Sequence, residues 1–276
     1  MKNMNNKTKV KDFIINDEKI ICFKEIDSKQ HLDFNSEWLD TFFLVERNHF
    51  WFIARRERII QTFKKYLKKS SNILEIGAGT GYIAQGIQGD GYNVSVGDIH
   101  LSGLIYAKKN GIEKCYLFDI FDPPFRNKFD AIGMFDVLEH LEDHSFALSQ
   151  VSKMLKPRGK IFVTVPAHKW LWNHHDVMSN HKRRYSRKEL ELVLEKAGFQ
   201  IIESRFFFIA ILPLLFFRHI LYIAKGNKMI QNPEENMRIN PVINSILLKL
   251  TRLENYLSKW LPNISGGSLL CVAVKK

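Results

Sequence analysis

The stretch Ile73-Leu74-Glu75-Ile76-Gly77-Ala78-Gly79-Thr80-Gly81 restricts this chain more than any other. A short apolar run ends in an acid and then in glycines at 77, 79 and 81, after which Ile83, Ala84 and Ile87 recur on one helical face. That order reads as strand, tight turn, helix. Glycine adopts positive φ without strain and lets a ligand approach the backbone closely. The helix that follows points free N–H groups at the turn, which favours an anionic group there. A nucleotide-like or carboxylate-bearing ligand is therefore expected over the end of this strand. The dinucleotide fingerprint needs a third glycine five residues after the first. Tyr82 stands at that position, so the fingerprint fails.

Beyond residue 72, strand and helix patterns alternate. Strands are expected at 93–97, 114–118, 129–135 and 160–165, and helices at 101–110, 145–155 and 186–197. Ser186 and Glu189 stand at capping-box spacing, and Gly198 follows as a stop. The alternation predicts a parallel sheet with helices on both faces, binding its ligand outside the carboxyl ends of the strands. Glu75, Asp98, Asp119 and Asp136 all fall at or near those ends. One rim then carries four carboxylates on a chain whose net charge is +12. Caps and turns account for single acids at strand ends, but four on one rim suit a cationic ligand. A carboxylate also accepts two hydrogen bonds from a vicinal diol, and Asp98 lies at about the distance from the glycines at which an acid meets ribose hydroxyls. The ligand that satisfies acid rim, diol and glycine turn together is S-adenosylmethionine.

The runs Ile73–Gly81, Asp98, Asp119-Ile120, Phe129–Leu141 and Leu155–Gly159 resemble, in order, the motifs of class I S-adenosylmethionine-dependent methyltransferases. The resemblance covers about residues 70–205, with the final strand at 265–276. It implies a doubly wound α/β fold: a mostly parallel seven-stranded sheet with an antiparallel last strand and helices on both faces. The sixth strand would be 200–208 and the seventh 268–274. It also implies a cofactor site. The glycine turn, Glu75, Gly77, Ala78, Gly79, Thr80 and Gly81, would hold the methionine part. Asp98, with Ile99, would take the ribose, Asp119 and Ile120 the adenine, and Phe135 and Asp136 would flank the transfer centre together with His140. S-adenosylhomocysteine would be the product. Arg158 departs from the family turn, which usually has a glycine there.

Outside that core the sequence says less. Residues 1–70 read as an N-terminal arm, with a short strand pair near 13–21, and a helical cover in which His49, Trp51 and Arg55 are candidates to line a cofactor lid. After the fifth strand come His168, Trp170, Trp172, His174 and His175, then His181 and the basic run Lys182-Arg183-Arg184-Tyr185. This loop is expected to overhang the acceptor entrance. His140, His175 and Tyr185 are the candidate bases, and Arg183 and Arg184 could pair with an acidic or phosphorylated acceptor. The histidines lack a crisp ligand spacing, so no metal is expected.

A helical insertion is expected at 206–264. Its apolar run 206–217 is too short to span a bilayer, which needs about twenty residues. An amphipathic helix is expected at 243–261, with Ile243, Ile246, Leu247, Leu250, Leu253, Leu257, Trp260 and Leu261 on one stripe. That stripe suits packing on the domain or on a second subunit, and peripheral membrane contact through 206–224 or 243–261 stays open.

The three cysteines, 22, 115 and 271, are scattered without a disulfide or metal framework. With a polar, non-signal N-terminus they point to a reducing cytoplasm. The chain is thus read as a methyltransferase for a small-molecule or lipid- or sugar-linked acceptor, as monomer or homodimer. The alternatives are a non-catalytic module that binds S-adenosylmethionine and a nicotinamide-dependent oxidoreductase. Nucleic acid is disfavoured as substrate, because Asp136-Val137-Leu138-Glu139 replaces the Asn/Asp-Pro-Pro-Tyr signature of base-modifying relatives.

Overall fold

A computed structural model describes residues 13–23, 38–225 and 237–276. The polar run 1–11 and the 31–37 part of the expected cover lie outside the described residues. Nine strands form one sheet in the order β1-β2-β5-β4-β3-β6-β7-β9-β8. The central strand β3 (Asn72–Ile76) lies between β4 (Asn93–Asp98) and β6 (Phe129–Phe135), and both pairings are parallel. The strand β5 (Cys115–Leu117) continues one side and β7 (Leu155–Pro166) the other. The last strand, β9 (Ser268–Lys275), runs antiparallel between β7 and β8 (Phe199–Phe207). These seven are the strands the motif order predicts. The other two, β1 (Ile14–Ile15) and β2 (Ile21–Cys22), form a hairpin whose second strand joins the β5 edge in parallel, Ile21 opposite Tyr116.

Helices cover both faces because neighbouring strand residues point to opposite sides. Ile73 packs with α2 (Phe50–Tyr66), α3 (Tyr82–Gly89) and α4 (Leu101–Lys109), through Ile59, Phe63, Ile87 and Leu104. Leu74 and Ile76 belong to the opposite core, with Leu148 and Val151 of α5 (His144–Met154) and Leu190 and Leu194 of α7 (Arg187–Lys196). The capping box at Ser186 and Glu189 is present as the spacing predicts. The short helices α1 (Trp38–Val45) and α6 (His174–Met178) stand at the strand ends, and α8 (Leu212–Lys225) and α9 (Pro241–Leu257) lie between β8 and β9.

The fifth core strand begins earlier than its pattern suggests. Pro157 and Gly159 read as a stop before a strand at 160, yet Leu155 already pairs with Phe129 and the register shifts before Lys160 meets Ala131. The Pro-Arg-Gly turn is thus a bulge inside β7, with Arg158 at φ 61°. The apolar run 206–217 likewise divides. Phe206 and Phe207 close β8, and α8 begins only at Leu212.

Candidate active site

Three glycines make the turn after β3, all at positive φ: 66° at Gly77, 52° at Gly79 and 73° at Gly81. A Cβ at Gly77 would lie 2.5 Å from Val137 Cγ2, so the loop after β6 can close on the turn only because that side chain is absent. Gly81 serves a different need from the one expected of it. It caps α3, and its bare Cα lets α3 pack on Ala107 of α4, 2.8 Å from where a Cβ would stand. Among the predicted cofactor residues it alone does not face the cavity; Glu75, Gly77, Ala78, Gly79, Thr80, Asp98, Ile99, Asp119, Ile120, Phe135 and Asp136 all do.

That cavity has a volume of about 660 Å³, inside the range of roughly 300–1,000 Å³ typical of small-molecule sites. At one end Asp98 accepts from Gly79 N–H at 2.8 Å and from His100 N–H at 2.9 Å, locking the glycine turn to the end of β4. Two further acids converge there. Glu75 is 2% exposed, its Oε2 has no hydrogen-bond partner, and burial pushes its carboxyl up to about 8 against the opposing charge of Arg55. Glu46, just beyond α1, takes a hydrogen bond from Thr80 Oγ1, but its Oε1 is also unpartnered, and burial pushes it up to about 7. Buried acids without partners mark a site built for a cation with hydrogen-bond donors. Glu46 escaped the sequence reading because no motif ties it to the turn; only the fold brings the cover onto Thr80.

The cover forms one wall. His49, Trp51 and Arg55 all face the cavity, as expected. His49 caps α2 by accepting from Trp51 N–H at 3.2 Å, and burial pushes it down to about 4. Trp51 stacks on Phe208 with ring centroids 4.1 Å apart. Arg55 pairs with Asp136, whose other oxygen accepts from Thr164 Oγ1 at 2.9 Å. Asp136 sits at φ 56°, a strained conformation that costs about 1–3 kcal/mol and concentrates at functional sites.

The loop after β7 forms the far wall. Asp176 is fully buried, 2.8 Å from His181 Nδ1 and 2.8 Å from Arg184 Nε. Burial opposes its charge, but these two partners outweigh burial and hold the carboxyl below the usual range. An ionised Asp176 accepts a hydrogen bond from His181 Nδ1–H, which leaves Nε2 toward the cavity that His181 lines. The bases named from sequence fare differently. His140 lines the cavity with its ring 4.7 Å from that of His181. His175 lines it too, but burial and the neighbouring His181 and Arg218 push it down to about 3, too weak a base near neutrality. Tyr185 lies outside the cavity wall. It is 2% exposed, 3.2 Å from Leu138 O and 2.6 Å from His144 Nδ1, and burial drives its phenol upward. Arg184 lines the cavity while engaged with Asp176 and Ala167 O, and Arg183 bonds His144 and Glu142 O. His181 was named in the sequence only as part of a basic run; its role needs Asp176, five residues away and held by the Asn173 cap of α6.

Glu139, His140 and His181 also bring ligand atoms within 4.8 Å of one another, a set that suits a divalent cation although no spacing announced it.

The donor set fits S-adenosylmethionine. Glu75 and Glu46 suit its ammonium and sulfonium and Asp98 its diol, while the N–H groups of Gly77, Ala78, Gly79 and Gly81 are donated to Gly97 O, Asp98 and Ala78 O and so serve to shape the turn. The sequence profile of the methyltransferase domain family matches residues 46–204, more than half of the chain. A ubiquinone biosynthesis O-methyltransferase of Rickettsia canadensis is 30% identical over 112 residues, 38% of this chain and 48% of that one. Its counterpart in Marinobacter nauticus is 28% identical over 100 residues, 33% and 42% of the two chains. The chain thus spans about half the length of the curated relatives it matches. A solved S-adenosylmethionine-dependent methyltransferase of Thermotoga maritima, a possible histamine N-methyltransferase, superposes with TM-score 0.54 at 18% identity over 86% of this chain and 94% of that one. Phosphoethanolamine N-methyltransferase 2 of Haemonchus contortus, solved with S-adenosyl-L-methionine, gives 0.51 at 18% over 79% and 52%. At such identities these structures speak for the fold alone. By this profile match the chain belongs to the methyltransferase domain family, within the class I S-adenosylmethionine-dependent methyltransferases.

Proposed function

We propose that the chain methylates a hydroxyl or amine of a small molecule, with His181 as the general base. When bound, S-adenosylmethionine supplies an electrophilic methyl group carried on sulfonium. The glycine turn, Asp98, Glu46 and Glu75 orient that cofactor, and the α1–α2 cover excludes water above it. His181 Nε2 receives the acceptor's proton while Nδ1–H stays on Asp176, whose charge stabilises the imidazolium that forms. The apolar side chains of α8 and α9 on the cavity wall, Leu214, Leu215 and Leu247, suit an acceptor with a lipophilic portion, including a lipid-linked one. The observation that carries this reading is that His181, bonded to buried Asp176, lines one cavity with the glycine turn. The test is a His181→Asn variant assayed with S-adenosylmethionine and an alkyl catechol, with S-adenosylhomocysteine followed by mass spectrometry. Turnover should fall by about 10²–10⁴ while cofactor affinity by calorimetry is unchanged; equal turnover removes His181 from the reaction.

A second reading has its own support. Both carboxylate oxygens of buried Glu139 lack a hydrogen-bond partner, beside His140 and His181. A divalent cation held there would polarise an acceptor hydroxyl directly. Chelation with EDTA then abolishes turnover and Mg²⁺ or Mn²⁺ restores it, whereas the base reading predicts EDTA-insensitive turnover.

A further inference from the structure

We infer that the outer faces of α8 and α9 form a docking surface for an anionic phospholipid bilayer. The helix α9 departs from an ordinary surface helix, whose apolar stripe faces the core. Its inner face is mixed: Leu247 and Leu248 pack on the core beside polar residues. Asn244 donates to Asn48 O at 2.7 Å and accepts from Phe50 N–H at 2.8 Å, Asn255 donates to Ala54 O at 3.1 Å, and Glu254 accepts from Ala210 N–H at 2.8 Å. Much of the apolar stripe faces away from the domain. Ile243, Ile246, Leu250 and Leu253 are exposed, Leu253 by 54%, and the line continues to Trp260 at 71%. Four exposed aliphatic side chains on one helix, opposite a partly polar inner face, suit an outer face that meets something apolar. The helix α8 adds Phe216, Phe217, Ile220 and Ile223, all exposed. Single exposed apolar residues are ordinary, but a run on two helices that border one cavity marks an interaction surface.

The two helices meet at the cavity. Leu214 of α8 and Ile243 of α9 belong both to the exposed surface and to the cavity wall. Both apolar faces therefore border the cavity.

The charges select the occupant. Arg238, Lys249 and Lys259 are exposed around the stripe on a chain of net charge +12. Aliphatic side chains would enter the acyl boundary while the lysines and arginine meet anionic headgroups, each worth about 1 kcal/mol. Tyr256 and Trp260, both exposed, are the residue types that settle at that boundary. A second copy across a two-fold axis would instead set the same cations against one another. Among the described residues no helix is long and apolar enough to cross a membrane, so the contact lies in the plane of the interface. The surface stands on this geometry alone; that a lipophilic acceptor enters the cavity from the bilayer rests on the proposed methyl transfer.

The test is co-sedimentation of the full chain with phosphatidylcholine vesicles, with and without phosphatidylglycerol. Binding should require the anionic lipid and weaken as salt is raised. The double variant Leu250→Glu/Leu253→Glu should bind at least about tenfold more weakly, a loss of roughly 1.4 kcal/mol, with melting temperature unchanged because both positions are exposed. Lys249→Glu/Lys259→Glu should lose the preference for anionic vesicles. The inference is overturned if the native chain stays in the supernatant with anionic vesicles, or if the leucine variant sediments like the native chain. A homodimer by light scattering that the leucine variant dissociates, without vesicle binding, would assign the face to a second copy. Calorimetry with S-adenosylmethionine on the same samples reports separately on the methyl-transfer reading.

Discussion

Replacing Glu46 by Gln should make the protein's stability less sensitive to pH, by an amount the structure fixes. In the folded chain burial moves this carboxyl from its ordinary 4.5 to about 7. Between those values the folded protein holds a proton that the unfolded chain has released. Stability therefore is greatest below about pH 4.5 for this group and falls as pH rises through 7. The difference of about 2.5 units corresponds to about 3 kcal/mol, with little screening because Glu46 is only 3% exposed. Glutamine keeps the shape and the acceptor for Thr80 Oγ1 but does not titrate. Glu75, also raised, titrates in both proteins, and is raised less in the variant because the Glu46 charge is one cause of its shift. Urea unfolding followed by tryptophan fluorescence should show Glu46→Gln gaining on the native chain by up to about 3 kcal/mol between pH 5 and pH 8. A cation in the cleft favours the ionised acid, so the native chain's affinity for S-adenosylmethionine should rise over the same interval and the variant's should change less. Parallel stability profiles across that interval would refute the buried-acid account of the site.

Three further outcomes follow from the geometry. Asp98→Ala removes the acceptor that binds Gly79 and His100 N–H groups as well as the expected diol contact; hydrogen bonds to a charged group are worth about 1.5–3 kcal/mol each, so calorimetry should show S-adenosylmethionine affinity lowered by about a hundredfold or more. Gly77→Ala places a methyl 2.5 Å from Val137 Cγ2 at φ 66°; cofactor binding should be lost, with about 1–3 kcal/mol of stability, read by calorimetry and denaturant melts. Asp176→Ala leaves Arg184 buried without its carboxylate and should cost about 3–5 kcal/mol of unfolding free energy, whereas His181→Asn should cost much less while stopping turnover.

The order of the core strands, the turn at Gly77–Gly81 and the acids at strand ends were legible because each is local. Period-two and period-3.6 patterns, glycine spacing and capping residues act over a few neighbours, and the rules of parallel sheets convert that order into a rim. The base was not legible in the same way. Tyr185 reads as a candidate until burial and its bond to Leu138 O remove it, and His181 becomes one only through Asp176. Glu46 carries no signal at all in sequence, since its meaning comes from Thr80, 34 residues later.

The amphipathic pattern of α9 shows the division most plainly. Sequence alone determined that this segment is a helix with one apolar stripe, because periodicity depends on backbone geometry. Which way the stripe faces depended on the partners available. Asn244 and Asn255 satisfy backbone groups of Asn48, Phe50 and Ala54, and unpaired buried polar groups cost more than exposed leucines do. Only the assembled fold supplies those partners, so only the tertiary structure decided that Asn244 and Asn255 sit inward beside Leu247 and Leu248 while Ile246, Leu250 and Leu253 stay outward.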